Sequence, residues 1–596
     1  MYAKEKKYWA DVLERLIEIV KFLGTQNLAF RGSSDTLYQK DNGNFLKLIE
    51  LFAKFDPIMK SHIERALHEK NSVHYLSKDS QNEILEILGA AIRDKVLSHI
   101  RNAKYYSLIL DCTPDAGKTE QMSIICRFVS ISEEKVEVKE NFLGFVAIFD
   151  SKSQGLYDTI TKMLKMWNIP LENMRGQGYD NGANMKGKKN GLQSMFLKVN
   201  PRAFFVPCSA HTLNLTINDA SKVNSDTISF FSVVNEIYIF FSASSKRWTI
   251  LKNNVSNLTL KQPSDTRWES RIDAVRPLRY QLGEIYDALY EIMENESFAA
   301  EVQHEARSLC GKIKDFKFIC SLVVWHDILN RINPVSKLLQ EKNMNITLVL
   351  ESIEKLKIYL LEYRSDSNYQ ELLETAKTIS EDVEGDSQFK SSVEIRKRKK
   401  KRMFEYENED ESPQSPEDKF RINVFYTILD TSVASLNERF EQLYFYNINF
   451  GFLNDFMNID DKYLKNKCKN LESLLTFNSN KDINGTELFE EILAFKDIFG
   501  LNNQNPIEIL NFLNRNHLPF PNLAIALRIL LTIPVSVASS ERSFSKLKLI
   551  KTYLRSSMSQ ERLVNLAMIS IESNICNELD IKELISTFIN LKTRKI

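Results

Sequence analysis

Cysteine is scarce and shows no pairing pattern. Seven cysteines in 596 residues, an odd number with no C-x-x-C pair, exclude a disulfide framework or a zinc ribbon and fit reduced thiols in an intracellular protein. No sign of charge prevails either, because 79 Lys and Arg oppose 78 Asp and Glu. That balance excludes the basic field that coats simple nucleic-acid binders, so any contact to nucleic acid must come from local patches. Long apolar runs are missing as well. The most apolar stretch, Ile228 to Phe241, is interrupted by Asn235 and Glu236 and falls short of a membrane span. The opening MYAKEKKYWADVLERL is charged throughout and lacks the apolar core of a secretion signal. A soluble protein of the cytosol or nucleus, with no membrane partner, is expected.

What is present is ordered by period. Apolar Phe45, Leu48, Ile49, Phe52 and Phe55, then Ile84, Leu88, Ile92, Val96 and Ile100, recur at helical spacing, so the first hundred residues read as helices. The period then shortens. YYSLILD (105–111), EQMSIICRFV (120–129) and KVEVKENFLGFVAIF (135–149) are rich in β-branched and aromatic residues and are divided by turn formers such as Pro114-Asp115-Ala116-Gly117. They predict three antiparallel strands. A helix is expected over 153–169, a strand at 174–180, a helix around 191–199, a strand at 203–207 and a helix from His211. That order predicts an α/β layer with a mixed sheet, its later strands parallel and joined by right-handed crossovers. Beyond Arg271 the spacing is helical to the C-terminus, except over 380–418, whose block charges, Ser and Pro predict a disordered tract.

Two aspartates occupy chosen places in that sheet. Asp111 ends the first strand and Asp180 the fourth, and these strands are neighbours in a sheet of this order. Paired carboxylates at one sheet edge bind hard divalent cations, and a third on a helix would complete a two-metal site for displacement at phosphorus. On patterning alone, the commoner duty of an aspartate at a strand end, as cap or turn residue, competes with this. Cys208 and His211 form a C-x-x-H pair with no second pair at zinc spacing, so no structural zinc is expected. The run Arg396-Lys397-Arg398-Lys399-Lys400-Lys401-Arg402 reads as a nuclear localisation signal or a nucleic-acid contact, which places the chain in the nucleus. Leu523, Ile525, Leu527, Leu530 and Leu531, then Leu563, Leu566, Met568 and Ile571, offer more apolar surface than one terminal layer hides. They predict a self-complementary homodimer contact beside ordinary core packing.

Longer stretches add a resemblance. IPVSVASSERSFSKLKLIKTYLRSSMSQERLVNLAMISIES (533–573), with its Ser-Glu-Arg-x-Phe-Ser core, resembles the C-terminal dimerisation block of hAT-superfamily DNA transposases. LILDCTPDAGKTEQMSIICRFV (108–129) resembles the first catalytic strand of that family, and RGQGYDNGANMKGKKNGLQ (175–193) with CSAHTLNL (208–215) its second-aspartate region. SDTRWESRIDAV (264–275) resembles its Arg-Trp element. NLAFRGSSDTL and FLKLIELFAKFDP are similar to the zinc-finger-MYM-type and TTF-type branch of transposon-derived proteins.

The resemblance implies a ribonuclease-H-like core split by a large helical insertion, with Asp111, Asp180 and Glu541 as an Asp-Asp-Glu triad. It implies that these carboxylates hold Mg²⁺ or Mn²⁺ and that DNA is the substrate of strand cleavage and transfer. It further implies DNA contacts from Arg267 and Trp268, the indole stacking on a displaced base, with Trp248 a rival, and from His211. Without the family, Glu541 is a carboxylate favoured by a helix N-terminus, His211 a helix cap and both tryptophans packing residues. The first hundred residues hold no cysteine, so His62, His68 and His74 have no C-x₂-C partner, whereas many members carry a zinc-binding finger upstream of the region where this chain starts. Two functions follow: a transposase, or a domesticated, non-catalytic protein that binds DNA, dimerises and regulates. The expected architecture is a helical N-terminal segment (1–103), the first part of the core (104–225), a helical insertion (226–430) and a C-terminal part (431–596) that completes the core, with the dimerisation block at about 500–575.

Overall fold

Five strands form where β-branched and aromatic runs predicted them: β1 (Tyr106–Pro114), β2 (Glu120–Ile131), β3 (Val136–Ile148), β4 (Met174–Tyr179) and β5 (Phe204–Pro207). They lie in the order β3-β2-β1-β4-β5. The pairs β1–β2 and β2–β3 are antiparallel, while β1–β4 and β4–β5 are parallel, so the mixed α/β sheet is as expected. The computed structural model describes residues 2–68, 73–264, 269–341, 344–390, 414–499 and 505–591. They form two compact units, one of Met1–Cys208 with Tyr446–Ile596 and one of Ser209–Phe445.

In the first unit the helices α1 (Tyr2–Thr25), α2 (Gly43–Phe52), α3 (Pro57–His68) and α4 (Lys78–Ala103) precede the sheet. Crossovers α5 (Ser153–Met166), α6 (Ala183–Lys186) and α7 (Leu192–Val199) connect the parallel strands. The second unit is helical: α8 (Ser209–Ser221), α9 (Ser225–Ser242), α10 (Ser245–Asn254), α11 (Glu269–Tyr280), α12 (Leu282–Glu294), α13 (Ala300–Ile313), α14 (Phe316–Leu339), α15 (Ile346–Tyr363), α16 (Asp366–Asp382), α17 (Pro416–Phe420) and most of α18 (Thr427–Phe450). The chain then returns to the first unit with α19 (Asp461–Leu474), a two-stranded ribbon of β6 (Thr476–Phe477) and β7 (Asn480–Lys481), and α20 (Gly485–Phe499), α21 (Pro506–Arg515), α22 (Pro521–Thr532), α23 (Ala538–Ile550), α24 (Gln560–Ile571), α25 (Ser573–Asn577) and α26 (Ile581–Asn590).

The helical insertion is longer at both ends than 226–430. Its first helix, α8, is held to α18 by Arg439, whose guanidinium reaches Asp219 at 2.8 Å. Both ends of the expected disordered tract are ordered. Helix α16 runs to Asp382, Phe389 packs against Phe316 and Phe420 with both ring centroids 5.1 Å away, and α17 starts at Pro416. One aromatic ring thus anchors sequence that charge and Ser content alone assign to disorder, while 391–413 lie outside the described residues. The apolar helix α9 buries Phe230, Val234, Ile237, Phe240 and Phe241. Among the described residues no single helix is long and apolar enough to cross a membrane.

The returning segment is fastened to the sheet by buried polar contacts. Asp482 accepts from Arg175 Nε at 2.7 Å and Nη2 at 2.6 Å, and from Arg202 Nη1 at 3.1 Å, a bidentate pair with a second cation. Tyr446 donates its hydroxyl to the carbonyl of Phe205 at 2.7 Å. At the irregularity where β3 slips against β2, Glu572 accepts from the Phe142 N–H at 2.5 Å and from Asn141 at 2.7 Å, which satisfies a backbone donor released from the ladder. Helices α1 and α4 pack on α24. The N-terminal segment therefore belongs to the same unit as the sheet. Leu523, Leu527, Leu530, Leu563, Leu566 and Met568 are all buried, so intrachain packing uses much of the apolar surface from which a dimer contact was expected.

Candidate active site

Strand register sets the site. On β1 and β4 Ile109 pairs with Gly178. Two residues further on, on the same face by the two-residue side-chain period, stand Asp111, inside β1, and Asp180, one residue past the end of β4. Asp111 pairs across β2 with Ser123, and Ser123 pairs across β3 with Phe145. One transverse row therefore carries Asp180, Asp111, Ser123 and Phe145.

Helix α23 lies along that row. Ser543 Oγ and Ser123 Oγ are hydrogen-bonded at 2.8 Å. Phe544 stacks on Phe145 with centroids 6.1 Å apart and ring planes 17° from parallel. Ser539 donates to Glu140, which pairs with Arg127 at 2.6 Å. Glu541, in the first turn of the helix, lies within electrostatic reach of Asp111 but is not among the residues that line the cleft with the two aspartates. The approach to the helix depends on two glycines. A Cβ at Gly176 or Gly178 would come within 2.9 Å of the Pro534 ring, so only strand positions without side chains let the segment before α23 cross β4. The Val537 N–H then donates to Cys208 Sγ at 3.4 Å, which gives Cys208 a packing role at the end of β5.

Asp111 and Asp180 line a cleft of about 250 Å³ together with Cys112, Glu120, Phe149 and Asn184. Asp111 accepts from the Cys112 N–H at 2.9 Å and Asp180 from the Gly182 N–H at 3.2 Å. Burial pushes the Asp111 carboxyl up, the neighbouring charges of Asp180, Glu541 and Glu120 push it further, and the result is about 7 in spite of the Cys112 N–H. Burial and then the Asp111 charge push the Cys112 thiol up to about 12, so it is protonated and unreactive at neutral pH. Among the described residues, no three His, Cys, Asp or Glu side chains already converge as ligands of one metal ion. Sequence reasoning missed Glu120, Phe149 and Asn184. Glu120 opens β2 opposite Pro114, a position that hairpin register alone supplies. Phe149, which is 94% exposed, is an aromatic ring left outside the core at the end of β3.

Of the other candidate residues, the structure describes His211 and Trp248. His211 lies on α8 of the second unit. Trp248, on α10, meets Tyr238 edge-on at 6.3 Å, the contact of a packing residue. Arg267, Trp268 and the basic run 396–402 lie outside the described residues.

Comparison with known proteins follows this geometry. Residues 2–191, which include Asp111 and Asp180, match the ZMYM1/FAM200 RNase-like domain. Residues 488–575, which include Glu541, match the hAT family C-terminal dimerisation region. The human protein named 52 kDa repressor of the inhibitor of the protein kinase is 24% identical over 621 residues, which cover 99% of this chain and 78% of the relative. The mouse protein of the same name is 24% identical over 620 residues, with 99% and 78% covered.

Proposed function

Because this chain belongs to the hAT superfamily of DNA transposases and transposase-derived proteins, we propose that it cleaves and transfers DNA strands, with Asp111, Asp180 and Glu541 as the working carboxylates. The observation that carries this reading is the shared row of Asp111 and Asp180, where burial and the charges of Asp180 and Glu541 raise Asp111 to about 7. Excess negative charge in a partly buried cleft is what a divalent cation relieves, so the residues present suit Mg²⁺ or Mn²⁺. Held by these carboxylates, such an ion supplies activation of a water or 3′-hydroxyl and charge for the leaving oxygen.

The chain's own side chains set the rest. The Cys112 and Gly182 N–H groups fix the two aspartates, and Ser543 and Phe544 fix the helix that carries Glu541. Arg267 and Trp268 grip DNA beside the scissile bond, His211 adds a phosphate contact, and Arg396 to Arg402 direct the chain to the nucleus. The match at 488–575 supports a homodimer. With Mn²⁺ and duplexes carrying the ends that flank its gene, the purified protein nicks DNA, and Asp180→Ala abolishes the activity. Absence of nicking on every end sequence overturns the reading.

The second reading is a domesticated, non-catalytic protein that binds DNA, dimerises and regulates. It is favoured by the human and mouse relatives, which match 99% of this chain and are named as repressors. Under it, Asp180→Ala leaves DNA binding and regulatory output unchanged.

A further inference from the structure

A second cleft, of about 460 Å³, shares no residue with the first and is lined by Arg31, Asn82, Arg555, Ser557, Ser559 and Arg562 among others. Its three arginines come from distant parts of the sequence. Arg31 donates to Asn82 Oδ1 at 2.7 Å and to the Lys78 carbonyl at 2.8 Å, with Gln81 a longer acceptor at 3.4 Å. Arg562 donates to the same Asn82 oxygen and lies over the Phe30 ring at 5.2 Å. Arg555 donates to the carbonyls of Leu549 at 2.8 Å and Asn27 at 3.3 Å.

Every one of these acceptors is neutral. Among the described residues none of the three guanidinium groups has a carboxylate within ion-pair distance, and only Arg31 feels acids, Asp35 and Asp79, from further away. Three forks meeting in one cleft whose lining holds no carboxylate is an arrangement that structure alone does not favour, because like charges brought together cost energy. Burial, and then the charges of Arg31 and Arg555, push Arg562 down to about 10. The N-terminus of the 12-residue helix α24 opens on the same cleft, with Ser559 as its cap, and adds positive potential. A lone carboxylate would neutralise one of these charges. A phosphate group, with more charge and three or four oxygens, matches several guanidinium forks at once.

We propose that the cleft formed by Arg31, Arg555 and Arg562 at the N-terminus of α24 is a phosphate-binding site. The group it takes comes either from a nucleic-acid backbone or from free phosphate or a nucleotide. The site shares no lining residue with the Asp111 cleft.

The full chain is titrated with inorganic phosphate, with acetate and chloride at equal ionic strength as controls, while Tm is followed. Phosphate raises Tm in a saturable way, as ligand binding to the folded state requires; acetate and chloride do not. Arg555→Gln and Arg562→Gln each lose most of that rise, Arg555→Lys keeps part of it, and far-ultraviolet circular dichroism shows that all three are folded. In a second arm, binding of a labelled duplex is measured against salt concentration. A backbone source lowers the slope of log K on log salt by about one for each arginine removed; an unchanged slope with the phosphate shift intact assigns the site to free phosphate or a nucleotide. No phosphate-specific rise in Tm, or an equal rise in the folded glutamine variants, overturns the proposal. Because the phosphate arm uses neither DNA nor Mn²⁺, its outcome is separate from the test of cleavage.

Discussion

Ser543 and Ser123 share a hydrogen bond of 2.8 Å, and Ser123 is the cross-strand partner of Asp111. Through that contact a helix far along the chain is locked in register with the strand that carries the first aspartate. The adjoining stack of Phe544 on Phe145 makes the lock rigid. Truncation tests it: Phe544→Ala should cost about 3–5 kcal/mol as a large core cavity, and Ser543→Ala about 1–3 kcal/mol through the unpaired Ser123 hydroxyl. Urea unfolding gives both values, and no loss in either variant would show that α23 is held elsewhere.

Asp111 makes stability depend on pH in an unusual direction. An aspartate ordinarily titrates near 3.8, whereas here it titrates near 7. Between those values the folded chain holds a proton that the unfolded chain has released, so stability falls as pH rises through the window and levels above 7. Asp111→Asn should remove this dependence and gain roughly 1–3 kcal/mol at alkaline pH without divalent cation, solvent screening keeping the gain below the full shift. The two proteins should be nearly equal in stability at acid pH. Mn²⁺ should stabilise the natural protein, increasingly as pH rises past 7, and leave the Asn variant unmoved.

The glycines of β4 are a packing requirement. In Gly178→Ala the new Cβ meets Pro534 at 2.9 Å, and displacement of the segment before α23 should destabilise the chain by about 1–3 kcal/mol. Loss of nicking beyond the loss of folded protein would show that Glu541 had moved with it. Full stability and full activity would contradict the close approach.

Lys551 and Asp115 form a buried ion pair at 2.6 Å, with side chains 7% and 0% exposed. Burial pushes the Asp115 carboxyl up, but Lys551, Gln121 and the N–H groups of Thr119 and Gly117 outweigh it and hold the carboxyl below its ordinary value. Lys551→Met strands this charge and should cost about 3–5 kcal/mol. The double variant with Asp115→Asn should recover much of the loss. In the natural protein this contribution is present above the unfolded aspartate value and is lost as pH falls through the lowered folded one; in Lys551→Met acid unfolding should begin at a higher pH.

Local pattern was enough for the elements of the sheet. Runs such as 105–111 and 203–207 alternate or saturate with β-branched and aromatic residues, so β1 and β5 appear within a residue or three of their expected bounds. The same pattern put Asp111 and Asp180 on neighbouring strands, because a β-β-β-α-β order leaves few topologies. Glu541 was legible only through the resemblance of its motif, since nothing in the surrounding sequence says which strand α23 will cross.

Long-range packing decided what remained. The glycines at 176 and 178 fall inside an expected strand, and their reason for being there shows only when Pro534 is seen against them. Leu563, Leu566 and Met568 are seen to be core residues only once α1 and α4 are found beside α24. Arg31, Arg555 and Arg562 are three unrelated cationic residues until one cleft collects them. Periodicity and turn chemistry act over a few residues and are therefore written in the sequence. Cross-strand register, burial and the field of one charge on another depend on distances that only the folded chain sets, and those distances gave Asp111 its raised pKa and the arginines their shared cleft.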